Sequence, residues 1–291
     1  MLVRLYTINN KYHKPIIYGF AKGISKYNVK VQCHNIHSRY QPCDILVTFG
    51  ILKKVSFRGK LTERLITQHY KHLQKPFDGK SNIVVERGFL HRDRYYMVGW
   101  GGLNNRANFL NDNSPPDRWN KLGIALEDWS AKRGDNILLC GQIPWDSSVQ
   151  HIDFIKWCHN TVKKLQKYTK RKIIFRPHPS GKNIFKKIKG VPTSQNKDLV
   201  ADLSNTWCTV TFNSNTGVDS LLHNIPVYAY DEGSMVWDIC TKDLEHIDDV
   251  QPPPIEFRQQ WVYNLAYTQW NLEELKSGET WDHLRKGISD M

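Results

Sequence analysis

The chain has 291 residues, 40% of them hydrophobic and 12% aromatic, enough for two cores of ordinary size and too apolar for a disordered polymer. No run approaches the ~20 consecutive apolar residues of a membrane helix, and the start, MLVRLYTINNKYHKP, reads as a strand and a polar loop without a signal-peptide apolar region. The formal net charge is +13 and the six cysteines have no C-x-x-C spacing, so a soluble intracellular chain with reduced structural thiols is expected, and no metal site is argued for.

The first elements alternate. Leu2–Ile8 reads as a strand, Ile16–Tyr27 as a helix after Pro15, Val29–Cys33 and Asp44–Phe49 as two more strands, and a helix follows around Leu61–Tyr70. Strands alternating with helices imply a parallel, doubly wound sheet. The half is Rossmann-like but has no G-x-G-x-x-G, which removes the main support for a dinucleotide oxidoreductase.

Next comes the apolar strand Ser81–Phe89, which delivers Glu86 and then Arg87 at its carboxyl end. A hydroxyl that attacks an electrophilic carbon must lose its proton, and a carboxylate at a strand terminus can take it. Glu86 is the first candidate base and Asp93 the second; the alternative for Glu86 is an ion pair with Arg87, Arg92 or Arg94. The stretch from Glu86 to Trp119 mixes Arg87, Arg92, Arg94, Arg106 and Arg118 with Tyr95, Tyr96, Trp100 and Trp119. Cations and rings together hold phosphates and stack on exposed bases. The same residues also fit a strand over Tyr95–Val98 with Trp100 in a core.

Leu122–Gly134 leads to a second domain. Its first strand, Asn136–Cys140, stops at Gly141 and Gln142; a turn with Asp146, Ser147 and Ser148 and a helix over His151–Tyr168 follow. Gly141 permits close approach of a ligand to the backbone, or simply ends the strand. The strand Ile173–Phe175 then runs into Arg176, Pro177, His178 and Pro179. Ligands of open α/β sheets bind at such carboxyl edges. Cys208–Phe212 reads as another strand, Asn213–Gly217 as a polar turn, and Val218–His223 as a helix whose N–H groups face outward, an arrangement that takes anions. Tyr228–Asp231 ends a further strand. Pro252–Pro254 separates this domain from a tail, Phe257–Trp281, with the apolar spacing of amphipathic helices.

Charge is polarised along the chain. Residues 1–43 hold seven Lys/Arg and residues 154–197 hold thirteen, with no acid in either block, whereas residues 198–256 hold eleven Asp/Glu against one Lys. Such a field suits a polyanion.

The RPHP strand end, with the later Asn-Ser turn and the segment from Asp219 through Leu221-Leu222 to Pro226-Val227, resembles the nucleotide-sugar half of GT-B glycosyltransferases, in particular the capsule polysaccharide transferases. Asn224 stands where many members carry glycine. The runs ERGF, GWGGLN.RA and NSP.DRW resemble glycosyltransferases carried by bacteriophages, including the glucosyl and arabinosyl types that decorate 5-hydroxymethylcytosine in DNA. The resemblance implies an α/β GT-B fold, two Rossmann-like domains facing across a cleft. They would be an acceptor domain over 1–130 and a nucleotide-sugar domain over 135–256, with helices over 257–291 crossing back to the first.

It further implies an inverting, metal-independent transfer from a UDP-sugar, with no cofactor, onto double-stranded DNA containing a hydroxymethylated pyrimidine, by a monomer in the cytoplasm of an infected cell. Arg176, His178, Ser214, Asn215 and Thr216 would hold the diphosphate, Asp219 the ribose, and Gly141, Gln142 and Ser147 would line the donor pocket. His178 would also serve catalysis beside Glu86 or Asp93, and Arg87, Arg92, Arg94, Trp100 and Arg106 would hold DNA. Two alternatives stay open: a transferase of cell-surface polysaccharide, and a basic DNA-binding module without catalysis.

Overall fold

The structure, a computed structural model, describes residues 1–36, 38, 40–51, 82–149, 151–180 and 185–290. The helix expected around Leu61–Tyr70 lies outside the described residues. The chain forms two compact units, Met1–Lys121 with Tyr263–Met291, and Leu122–Val262. Each is an α/β unit built on a largely or wholly parallel sheet.

Unit 1 is organised on β1 (Leu2–Thr7), β2 (Lys30–Asn35), β3 (Ile45–Phe49), β4 (Asn82–Arg87), β5 (Tyr95–Trp100) and β10 (Gln269–Asn271), in the spatial order β10-β5-β4-β3-β1-β2. The β2-β1-β3-β4 portion is parallel; β5 and β10 are added antiparallel. Helix α1 (His13–Ile24) starts three residues before the expected Ile16, because the Asn10 side chain accepts the Tyr12 and His13 N–H groups at 2.9 and 2.7 Å. Pro15 falls in the first turn, where no intrahelical N–H bond is lost.

The short helix α2 (Asp117–Leu122) carries Arg118, which is buried. Arg118 forks onto both Glu274 oxygens at 3.0 and 3.1 Å, donates to the Ala266 and Gln269 carbonyls, and lies 3.8 Å from the Trp270 ring centre. It ties the tail to the sheet and does not face a ligand, which corrects its place in the cation-and-ring array.

Unit 2 holds a four-stranded, wholly parallel sheet, β7-β6-β8-β9: β6 (Asn136–Cys140), β7 (Ile173–Arg176), β8 (Thr206–Thr211) and β9 (Val227–Ala229). Alternation along β6 sorts its side chains. Ile137 and Leu139 join a large core with Trp157, Val162 and Leu165 of α3 (Phe154–Tyr168), while Leu138 and Cys140 face the other side with Leu203 of α4 (Leu199–Leu203) and Ile225. Helix α4 was not expected from sequence. Helix α5 (Thr216–Leu222) follows β8, and its last carbonyls are capped by Arg258, which is 1% exposed and donates to the Leu221 and Leu222 oxygens. Asn224 adopts φ +61°, the left-handed conformation that glycine supplies elsewhere, and its amide donates to Asp128 at 2.6 Å. The departure from glycine therefore preserves the turn.

Helix α6 (Ile255–Ala266) begins in unit 2 and ends in unit 1. The tail then forms β10, a strand that three residues of undistinguished sequence could not announce, followed by α7 (Leu272–Ser277) and α8 (Glu279–Leu284). A capping box between Asn271 and Glu274 opens α7. Helices α1 and α7 touch so closely that a Cβ on Gly23 would stand 2.0 Å from the Leu275 carbonyl oxygen. Gly23→Ala forces backbone apart and is expected to cost about 1–3 kcal/mol, read as a lower denaturant midpoint with the m-value kept.

Three histidines of unit 1 are held below their ordinary value, each mainly by burial: His13, helped by Arg87; His34, helped by Arg4; and His283. The unfolded chain binds these protons at higher pH than the fold does. Their contribution to stability is therefore complete above about pH 6.5 and is lost as pH falls below it. Denaturant midpoints are expected to drop between pH 7 and pH 5, with a smaller drop for His283→Gln.

Candidate functional site

All strands of the unit 2 sheet run the same way, so the segments following them gather at one edge. Gln142 leaves β6, His178 leaves β7, Asn213 and Ser214 leave β8, and Asp231 leaves β9. The segments after β6, β8 and β9 are tied by buried amides. The Gln142 side-chain Nε2 donates to Asn213 Oδ1 at 2.8 Å, and the Asn213 backbone N–H donates back to Gln142 Oε1 at 3.2 Å. Asn213 Nδ2 donates to the Ser148 carbonyl at 2.8 Å and to Asp231 Oδ1 at 2.9 Å. The Gly233 N–H also reaches Asp231 Oδ1, and His151 Nε2 lies 3.3 Å from Asp231 Oδ2. In a low-dielectric interior each of these groups would be costly if left alone, so the network fixes three loops at once.

Beside it, α5 begins under a hydroxyl cluster. The Ser214 N–H donates to Thr211 Oγ1 at 2.9 Å, the Thr216 N–H donates to Ser214 Oγ at 3.2 Å, and the two hydroxyl oxygens of Ser214 and Thr216 are 3.1 Å apart. Asn215 opens the helix, with no hydrogen bond from its side chain to the first-turn N–H groups, and Asp219 lies in the first turn. Thr216 is also hydrogen-bonded to the Cys140 thiol, whose pKa burial pushes up to about 12, so the thiol stays protonated and inert. His178 is half-buried, and its Nδ1 accepts the Ser180 N–H at 3.1 Å. In the neutral ring the proton then sits on Nε2, a tautomer that donates.

Two expected donor contacts have other work. Arg176 is bonded through its guanidinium to the buried Asp202 carboxylate and to the Asn196 and Lys197 carbonyls at 3.0 and 3.1 Å. Asp202 also accepts from Ser194 and Asn196, so Arg176 anchors the 194–202 segment and is not poised for a diphosphate. Gly141 is required by its neighbour strand: a Cβ there would meet the Phe175 ring at 2.8 Å. Gln142 braces the loops from a buried position, and Ser147 stands half-buried in the adjacent turn.

At the carboxyl edge of the unit 1 sheet, Glu86 Oε1 accepts the Arg87 N–H at 2.9 Å, and Glu86 Oε2 lies over Gly50 at the end of β3. His13 stacks on Phe49 with ring centres 4.0 Å apart. Burial and the nearby Arg87 charge keep it neutral near pH 7. Asp93 is exposed in the turn between β4 and β5 beside Arg94, 3.6 Å away. Arg87, Arg92, Arg94 and Arg106 are exposed, whereas Trp100 is 5% exposed and donates its ring N–H to the Leu284 carbonyl. Pairing of β5 with β4 turns that indole inward, which removes Trp100 from any nucleic-acid contact.

Sequence reasoning missed His13, His151 and the bracing roles of Asn213 and Asp231. For His151 a signal existed. Asp153, three residues before Lys156, is the true helix cap, accepting the Lys156 N–H at 3.0 Å, so His151 belongs to the preceding loop. For His13 the signal was Asn10 ahead of Pro15. Among the described residues no group of three or more His, Cys, Asp or Glu side chains is arranged to hold a metal ion, and no helix is long and apolar enough to cross a membrane.

Arg176→Ala leaves Asp202 buried without its cation and is expected to cost about 3–5 kcal/mol, measured by equilibrium unfolding. Unchanged stability would return that guanidinium to ligand binding.

No protein-family model matches the sequence, and no curated protein matches it. Two solved structures of KpsC from Thermosulfurimonas dismutans are similar. With the beta Kdo 2,4 transferase the identity is 14% over 84% of this chain and 88% of that one, with a TM-score of 0.50. With the beta Kdo 2,7 transferase it is 13% over 96% and 99%, with a TM-score of 0.51. Likeness at this identity is one of fold. The fold class is the expected one, α/β of GT-B type with two Rossmann-like units.

Proposed function

We propose that the chain is a glycosyltransferase that moves a sugar from a nucleoside diphosphate donor, a UDP-sugar, onto the hydroxymethyl oxygen of 5-hydroxymethylcytosine in DNA. The observation that carries this reading is that the exits of β7 and β8, which bear His178 and Ser214 with Thr216, lie at the same carboxyl edge of the parallel sheet of unit 2, where the Gln142–Asn213–Asp231 network holds the β8 exit. A diphosphate leaving group needs donors aimed at its developing charge, in a frame that does not reorganise. The Nε2–H of His178 and the Ser214 and Thr216 hydroxyls are such donors, with Asn215 beside them; Asp219 takes the ribose hydroxyls.

In unit 1, Glu86 takes the acceptor proton. The new bond joins the hydroxymethyl oxygen to the anomeric carbon, the bond from that carbon to the diphosphate breaks, and its electron pair leaves with the diphosphate. A single displacement of this kind inverts the anomeric centre, and fixed protein donors serve where a cation otherwise would. The exposed Arg87, Arg92, Arg94 and Arg106 are the unit 1 groups available to DNA phosphates.

A second reading, transfer onto a cell-surface polysaccharide, is favoured by one observation: the two KpsC structures to which the chain is similar are named as Kdo transferases.

Hydroxymethylated duplex incubated with the protein and a panel of UDP-sugars, then digested and weighed by mass spectrometry, tests the proposal. A pentose or hexose mass on the modified base is expected. Untouched DNA, with sugar instead added to a polysaccharide acceptor, would move the function to the second reading. His178→Ala is expected to lower turnover about 10²–10³-fold with the unfolding midpoint kept. Glu86→Gln should lower it by about 10²–10⁴-fold; full activity in that variant would transfer the base role to Asp93.

A further inference from the structure

The outer face of α3 carries a line of cations that the donor site does not use. Lys156, Lys163 and Lys167 are separated by seven and four residues, which at helical spacing stacks them along one ridge of about 16 Å. All three are exposed. The segment after β7 adds to them. Phe185, Ile188 and Val191 enter the same core as the buried side of α3, and Phe185 lies against the His159 ring of that helix, while Lys186, Lys187 and Lys189 between them point outward. None of these six lysines forms an ion pair among the described residues.

One feature separates this ridge from an ordinary solvated helix face. Surface helices normally set acids three or four residues from their lysines, and α3 contains no acidic residue at all. Lys156 stands in the first turn, where the helix dipole disfavours a cation. Asp153 at the cap offsets Lys156, and Lys167 in the last turn suits the dipole, so it is Lys163 and Lys167 that have no acid on the helix three or four residues away.

We infer that the α3 ridge, with the lysines of the 185–191 segment, is a docking surface for the phosphodiester backbone of duplex DNA. The identity of this polyanion rests on the acceptor proposed above; the charge pattern stands without it. A membrane surface fits less well. A helix that binds lipid lays its apolar face on the bilayer, and the apolar face of α3, Phe154, Trp157, Cys158, Val162 and Leu165, is buried in the unit 2 core. Lysines without an interleaved set of exposed rings hold phosphates as point charges and do not read bases, so the surface anchors DNA irrespective of sequence.

The test is fluorescence anisotropy of a labelled unmodified 20-base-pair duplex over a salt series, with wild type, Lys156→Gln/Lys163→Gln/Lys167→Gln, and Lys186→Gln/Lys187→Gln/Lys189→Gln. The slope of log affinity against log salt should fall by about 0.9 for each phosphate no longer neutralised, with unfolding midpoints unchanged. Wild-type slope and affinity in both triple variants, no duplex binding by the wild type, or binding only to vesicles rich in anionic lipid would each overturn the inference. Sugar transfer to free 5-hydroxymethyl-deoxycytidine, which has no backbone to hold, should run at the wild-type rate in both variants. Failure of that reaction in the wild type would count against the transferase reading and leave the ridge to the binding result.

Discussion

Asn213 is engaged through every polar atom of its side chain and through its backbone N–H. Gln142 and the Ser148 carbonyl from the loop after β6, and Asp231 from the exit of β9, converge on it, so three exits at the carboxyl edge of the unit 2 sheet meet on one amide. This constraint orders what surrounds it. With the β8 exit fixed, Ser214 can cap α5 through its hydroxyl; with Asp231 held, His151 has a carboxylate to lean on. An apolar residue at 213 would leave the facing amide and carboxylate buried without partners, which is far less favourable than the modest net worth of each bond suggests.

Unit 1 solves a similar problem with a residue from the far end of the chain. Gln269 is fully buried, and its Oε1 accepts the Phe89 and Leu90 N–H groups at 2.8 and 2.9 Å while its Nε2 donates to the Leu90 carbonyl. The turn that follows Glu86 and Arg87 thus owes its shape to the tail. Arg118 completes the clamp from the other side, paired to Glu274 and lying over Trp270.

Much of this was legible in the sequence where periodicity and punctuation agree. The strands ending at Phe49, Arg87, Cys140 and Thr211 were readable as apolar runs stopped by glycine or polar turns, and α3 by its apolar spacing. Gln142, His178 and Ser214 follow the carboxyl ends of β6, β7 and β8, since the order of a parallel sheet fixes that. What the sequence could not disclose was the direction in which a side chain is used. Arg176 and Trp100 look like ligand contacts in one dimension, yet one is claimed by Asp202, 26 residues away, and the other by the Leu284 carbonyl, 184 residues away. Long-range pairing of this kind leaves no local mark. β10 was missed for the same reason, because it acquires its meaning only from a partner strand.

The split of unit 1 across the chain orders events during synthesis. Its sheet begins before unit 2 is made, but β10, α7 and α8, which supply Trp270, Leu275, Trp281 and Leu284 to its core, emerge after unit 2. Unit 2 is continuous and can close while the ribosome is still reading the tail. Until then β5 is an unpaired edge, and Gly19 and Gly23 line a groove with nothing in it. Maturation of unit 1 is thus timed by the segment that follows unit 2, and a nascent chain stalled before residue 269 would expose a sticky, half-built sheet to its neighbours.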